Sequence, residues 1–149
     1  MKDIILIGDG LGVRTYFCKQ IGLKVIGTDI SDWAVKNSYV PDIYVKDDIT
    51  DCKLDAVAKL VVAYDVLEHI PYEKLESAIK NLIRLSTKWI LVSVPVIGDP
   101  NLLNDPTHII KESKEWWIEQ FVREGLVHVS TPDHFLYKEQ LLIFRKVKE

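Results

Sequence analysis

The chain has 149 residues, 48% hydrophobic and 28% charged, with a net charge of −3. That length suits one domain over residues 1–149 with a core of its own, and the composition excludes a disordered or fibrous chain. No apolar run reaches membrane-spanning length, and the slightly acidic balance offers no global field for a phosphate backbone.

The first apolar run, Ile4–Ile7, leads into Gly8-Asp9-Gly10-Leu11-Gly12. A strand-length run followed by a glycine turn predicts a helix over Val13–Ile21, with Gly22 as its stop. A second run, Lys24–Thr28, ends at Asp29. Strand, glycine turn, helix and a second strand ending in a carboxylate make one β-α-β nucleotide-binding unit. Ser31 or Asp32 is placed to cap a short helix over Trp33–Ser38, and Pro41 blocks its extension. Further strands are predicted at Ile43–Lys46, Leu60–Tyr64 and Trp89–Val94. Tyr72–Ser86 carries Leu75, Ala78, Ile79 and Leu82 at helical spacing, with charged residues on the opposite face. Ser113 or one of its neighbours opens a helix over about Lys114–Arg123 that stops at Gly125. Trp116 and Trp117 on it point about 100° apart, so one is expected in the core and the other toward the preceding loop. Leu126–Ser130 and Tyr137–Val147, joined around Thr131-Pro132-Asp133, read as an antiparallel pair. The alternation before them implies a parallel sheet with right-handed crossovers.

Cys18 and Cys52 have no metal-ligand spacing and read as reduced thiols of a cytoplasmic protein. The four histidines, His69, His108, His128 and His134, likewise match no ligand motif, so no metal site is expected. Asp99, Asp105 and His108 share the stretch Val96–His108, which is long for a connection and rich in Asn, Asp and Pro; solvation accounts for them there. Leu102 and Leu103 in this stretch are expected to be exposed.

A dinucleotide fingerprint would need a third glycine where the chain has Val13. Instead, the glycine turn, Asp29 and the run Asp65-Val66-Leu67-Glu68-His69 together resemble the class I S-adenosylmethionine-dependent methyltransferases. The resemblance covers essentially the whole chain. It implies a seven-stranded Rossmann-like α/β sheet in the order 3-2-1-4-5-7-6, the last strand antiparallel, with helices on both faces. It also implies S-adenosyl-L-methionine as cofactor and S-adenosyl-L-homocysteine as product. By motif, Gly8, Asp9, Gly10 and Gly12 match the cofactor loop, and Asp29 with Ile30 matches the ribose-binding segment. Asp47-Asp48-Ile49 matches the adenine segment, Asp48 being the favoured contact, and Tyr64 and Asp65 match the end of the fourth strand. The Asp65–His69 run is closest to the D-V-L-E-H signature of small-molecule methyltransferases. Pro106-Thr107-His108 resembles the segment before the last helix in that group.

The implied reaction is methyl transfer to an O or N of a small molecule by in-line displacement. His69 and His108, whose ordinary pKa lies near neutrality, are the expected base or acceptor-orienting groups. The family motif usually has an acidic residue two positions before the loop, where this chain has Leu6; Asp9 or a water is the expected substitute. A non-catalytic cofactor- or nucleotide-binding module acting with a partner is the main alternative, and a protein or nucleic-acid methyltransferase the next. The fourth strand lacks the D-P-P-Y type of motif of nucleic-acid amino-methyltransferases, which argues against nucleic acid. Only three residues precede the first apolar run, where relatives usually carry helices that cover the site. The cover is therefore expected from the Val96–His108 stretch or from self-association through Trp33, Leu102 and Leu103; an open pocket for a large acceptor is the third reading.

Overall fold

Strand β1 (Lys2–Ile7) lies inside the sheet because both its faces are apolar: Ile4, Ile5, Leu6 and Ile7 are all buried. The structure, a computed structural model, describes residues 1–133 and 139–147. It contains strands β2 (Val25–Asp29), β3 (Tyr44–Lys46), β4 (Ala58–Tyr64), β5 (Ser86–Ser93), β6 (Leu126–Val129) and β7 (Leu141–Lys146). They form one sheet in the order β3-β2-β1-β4-β5-β7-β6. The first five pair in parallel, and β7 runs antiparallel to both β5 and β6. The expected order is the observed one. The predicted last strand began at Tyr137, which lies with His134 outside the described residues; within them pairing starts at Leu141.

Side-chain alternation divides the core in two. Ile5 and Ile7 join the larger cluster with helix α3 (Tyr72–Leu85) and helix α5 (Lys114–Val122), which contributes Trp117 and Phe121. Ile4 and Leu6 point the other way, with Val25 and Val62, and Cys18 of helix α1 (Val13–Gln20) packs against them. Leu6 is thus a core residue, which is why an apolar side chain suits that position. Helix α2 (Asp32–Lys36) is capped by Ser31, whose hydroxyl accepts from Ala34 N at 3.2 Å. Ser113 caps α5 in the same way.

The stretch Val96–His108 is more ordered than its composition suggests. Asp99 caps helix α4 (Pro100–Asn104), and this turn buries Leu102 while leaving Leu103 75% exposed. The expectation that both leucines are exposed is therefore wrong for Leu102: neighbours on a helical turn face about 100° apart, so one turns inward.

Gly27 marks the tightest helix-to-sheet contact. A Cβ there would lie 2.3 Å from Thr15 Oγ1 and 2.5 Å from the Tyr44 ring. The Tyr44 hydroxyl in turn shares its one hydrogen between the carbonyls of Gly10 (2.8 Å) and Thr28 (3.1 Å), tying the glycine turn to β2 and β3. Gly27→Ala is expected to cost about 1–3 kcal/mol of stability. Denaturant unfolding measures this, and a wild-type midpoint would show that α1 and β3 yield without cost.

Candidate active site

β1 is flanked by β2 on one side and β4 on the other, so the winding direction reverses there. Open α/β sheets bind ligands beyond the carboxyl ends of strands at such a reversal. A cleft of about 310 Å³ lies at this place. Gly8, Asp29, Asp48, Asp65 and His69 line it together with Ile30, Ile49 and other apolar side chains.

The glycine turn approaches β4 closely. Gly8 has φ +65°, and a Cβ on it would sit 2.5 Å from Val66 Cγ2. Only glycine leaves that part of the cleft open at no steric cost. Gly10 and Gly12 shape the same turn from outside the cleft lining.

Asp29 carries the clearest geometry. Its Oδ2 accepts from Gly10 N at 3.0 Å and its Oδ1 from Ser31 N at 2.9 Å. Two loops therefore hold the carboxylate in place, with acceptor capacity left on each oxygen. Asp48 accepts from Thr50 N and Thr50 Oγ1 through Oδ1, which caps the 3-10 turn Ile49–Asp51. Its neighbour Asp47 also lines the cleft: Oδ1 accepts from Lys53 N, the Cys52 thiol lies beside the carboxylate, and the buried Oδ2 has no assigned hydrogen bond among the described residues. The sequence reading places Asp47-Asp48-Ile49 at the adenine segment and favours Asp48; in the structure both aspartates line the cleft, Asp48 as the cap of the 3-10 turn.

Asp9 points elsewhere. Its buried carboxylate accepts from Thr15 N (2.9 Å) and Thr15 Oγ1 (2.8 Å), with Arg14 Nη1 at 3.4 Å. It anchors the start of α1 and does not line the cleft. Tyr64 also lies outside the lining, beneath the Arg14 guanidinium, which is 4.3 Å from its ring centre. Asp65 is the sole described non-glycine residue with positive φ, +55°. Backbone strain of this kind concentrates at ligand sites. Its amide donates to Ser93 O, the Ser93 hydroxyl reaches its Oδ1 at 3.3 Å, and burial pushes its carboxyl above the ordinary value.

A second cavity of about 190 Å³ shares Asp65 and His69 with the first. Glu68, Asp105 and His108 face it. His69 and His108, far apart in the chain, meet here because the Glu68 carbonyl accepts from both Ile109 N (2.7 Å) and Ile110 N (3.0 Å). Those two bonds draw the segment after α4 across the end of β4. The imidazole rings lie 4.8 Å apart at 63°. Glu68 is fully buried between them, and burial pushes its carboxyl up to about 8, aided by the negative charges of Asp65 and Asp105. The two predicted histidines are thus brought together, and Glu68 joins them.

Of the paired tryptophans, Trp117 is fully buried and Trp116 is half-buried, edge-on to Tyr72 at 5.9 Å. Trp117 is in the core as expected, whereas Trp116 meets Tyr72 at the start of α3 rather than the preceding loop; neither lines the two cavities.

No family model and no curated protein matches the sequence. Solved structures do match its fold. Magnesium protoporphyrin IX methyltransferase (ChlM) from Synechocystis PCC 6803, solved with bound SAH, superposes with a TM-score of 0.77 at 18% identity, over 98% of this chain and 74% of that one. A SAM-dependent methyltransferase from Archaeoglobus fulgidus gives 0.74 at 18% identity, over 97% and 86%. The glycopeptide N-methyltransferase MtfA complexed with S-adenosylmethionine gives 0.76 at 12% identity, over 99% and 82%. With its strand order, the antiparallel β7 and the cleft at the β1 reversal, the chain has the fold of the class I S-adenosylmethionine-dependent methyltransferases.

Proposed function

We propose that the chain is an S-adenosylmethionine-dependent methyltransferase acting on an O or N of a small molecule. The observation that carries this reading is the Asp29 carboxylate, fixed by two backbone amides at the mouth of the glycine turn. The residues fit the cofactor. Gly8 keeps open the space that a Cβ would fill, and Asp29 retains acceptor sites for a ribose diol. Ile30 and Ile49 offer apolar faces for an adenine ring, beside the carboxylates of Asp47 and Asp48. Three solved structures of the same fold contain this cofactor or its product.

When bound, the cofactor supplies an electrophilic methyl group on a sulfonium, with a neutral thioether as leaving group. The chain's own contribution is orientation, which can lower such a barrier by roughly 7–11 kcal/mol. Leu6 is buried under α1 and Asp9 is engaged by Thr15, so neither meets the ammonium of the methionine end. Asp65, on the cleft wall, takes that role. The adjoining cavity is the acceptor side, where Glu68, His69 and His108 face the acceptor's transferable proton. No described helix is long and apolar enough to cross a membrane.

The test is transfer of labelled methyl from S-adenosylmethionine across panels of hydroxyl and amine acceptors. His69→Ala and His108→Ala are each expected to slow transfer by more than about tenfold. If both stay within tenfold, orientation alone accounts for the rate. Leu6 favours one second reading, a binding module that holds the cofactor without turning it over: tight binding with transfer to no acceptor would select it.

A further inference from the structure

Glu68 is fully buried, yet neither of its carboxylate oxygens has a hydrogen-bond partner among the described residues. A buried carboxylate is normally hydrogen-bonded, paired or bound to a metal. Its own backbone amide faces the carboxylate and partly offsets the burial, and two ring nitrogens stand beyond hydrogen-bond range: His69 Nε2 at 3.8 Å and His108 Nε2 at 4.0 Å from Oε1. Both separations are too long for hydrogen bonds. They resemble the spacing of ligands around a common ion. The three donor atoms lie within 4.8 Å of one another. Donors bound about 2.0–2.2 Å from one cation stand about 3.0–3.5 Å apart, so the set closes on an ion when the side chains draw in by roughly an ångström.

The outer contacts of the rings support the same conclusion. His108 Nδ1 lies 3.2 Å from the Leu102 carbonyl, and His69 Nδ1 lies 3.1 Å from the Thr107 carbonyl. A carbonyl can only accept, so each Nδ1 carries the proton. The Thr107 hydroxyl, 3.0 Å from His69 Nδ1, gives its own hydrogen to Asp105 Oδ1 and does not alter this. In the neutral ring each Nε2 then carries the lone pair, on the side that faces Glu68. Metal-binding histidines are commonly held this way, with the second nitrogen donating to a backbone carbonyl. The remaining Asp105 oxygen, Oδ2, stands 3.5 Å from His108 Nε2 at the exposed rim.

We propose that Glu68, His69 and His108 bind a divalent transition-metal cation, with Asp105 closing the site from the rim. Two imidazoles and carboxylate oxygen suit zinc, iron(II) or manganese better than calcium or magnesium. The spacing of histidines in the sequence gives no sign of this site, because the ligands meet only through the backbone bonds at Glu68. The site opens on the acceptor cavity. On the methyl-transfer reading above, on which this consequence rests, the cation takes an acceptor hydroxyl as a further ligand and lowers its pKa. With the cation bound, His69 and His108 would hold it rather than take the proton; the hydroxyl proton would pass to solvent, and the resulting oxygen anion would be the nucleophile. The favoured substrate class is therefore an alcohol or phenol rather than an amine.

The test is metal binding by the full chain after chelator treatment, with Co²⁺ followed by absorption and Zn²⁺ by calorimetry. One ion per chain is expected, with ligand-field bands for Co²⁺. Glu68→Gln and His108→Ala should each weaken binding by about 100-fold or more. His128→Ala, on the edge strand β6, should leave it unchanged. As a second measurement, Zn²⁺ should raise the thermal midpoint of the wild type but not of the near-isosteric Glu68→Gln. No stoichiometric binding, or binding that persists in both ligand variants, overturns the site. S-adenosylhomocysteine affinity, measured on the same metal-free samples, separates the two claims: its absence sinks the methyl-transfer reading while metal binding stands or falls by itself.

Discussion

Asp29→Ala is expected to weaken S-adenosylhomocysteine binding by about 100-fold or more. A ribose diol held by one carboxylate makes two charge-assisted hydrogen bonds, each worth roughly 1.5–3 kcal/mol. Since 1.4 kcal/mol is a factor of ten, losing both exceeds a hundredfold. The substitution also releases Gly10 N and Ser31 N, the two amides that fix the glycine turn against the start of α2. Asp29→Asn keeps one oxygen and should fall between the two. Calorimetry on wild type and both variants, with thermal midpoints as the folding control, measures the effect. A change of less than threefold in Asp29→Ala would place the ribose elsewhere.

Glu68→Leu is expected to act in the opposite direction on stability. In the metal-free chain the Glu68 carboxylate is buried without a hydrogen bond, a state that costs about 1–3 kcal/mol or more. Replacing it with an apolar side chain of similar volume removes that cost. The backbone bonds from Ile109 and Ile110 to the Glu68 carbonyl do not depend on the side chain, so the turn persists. Denaturant unfolding in chelator should therefore show Glu68→Leu to be the more stable protein by about that amount. The same variant should bind no transition metal. A less stable variant would mean that the carboxylate has a partner within the fold. An acid retained at a cost to stability is the signature of a site selected for binding or catalysis.

Much of the fold is legible in the sequence because it rests on local pattern. The Ile4–Ile7 run reads as an interior strand since both its faces meet helices. The apolar stripe of α3 and the cap at Ser113 each state their element directly. Pairing order is different: nothing in the β6 and β7 segments alone says that β7 inserts beside β5, and that order came from the family resemblance. Leu102 was misread because residue types in a polar loop do not reveal a five-residue helix that turns one of two leucines inward.

The candidate site divides in the same way. Asp29 ends a strand after a glycine turn, and the chain places it on the cleft as that position suggests. Asp9 looks equally available in sequence, but the side chain and amide of Thr15 claim its carboxylate. The strained backbone of Asp65 and the buried oxygen of Asp47 have no sequence signal, since any turn can carry an aspartate. The meeting of Glu68, His69 and His108 depends on two long-range backbone hydrogen bonds, which no spacing rule encodes.

The central claim is that the cleft at the end of β1 is the cofactor site. A crystal structure with S-adenosylhomocysteine tests it most directly. The account predicts both ribose hydroxyls within hydrogen-bond distance of Asp29, adenine between Ile30 and Ile49, and the sulfur directed toward Asp65 and His69. A ligand bound anywhere else, or ribose hydroxyls out of reach of Asp29, would contradict it.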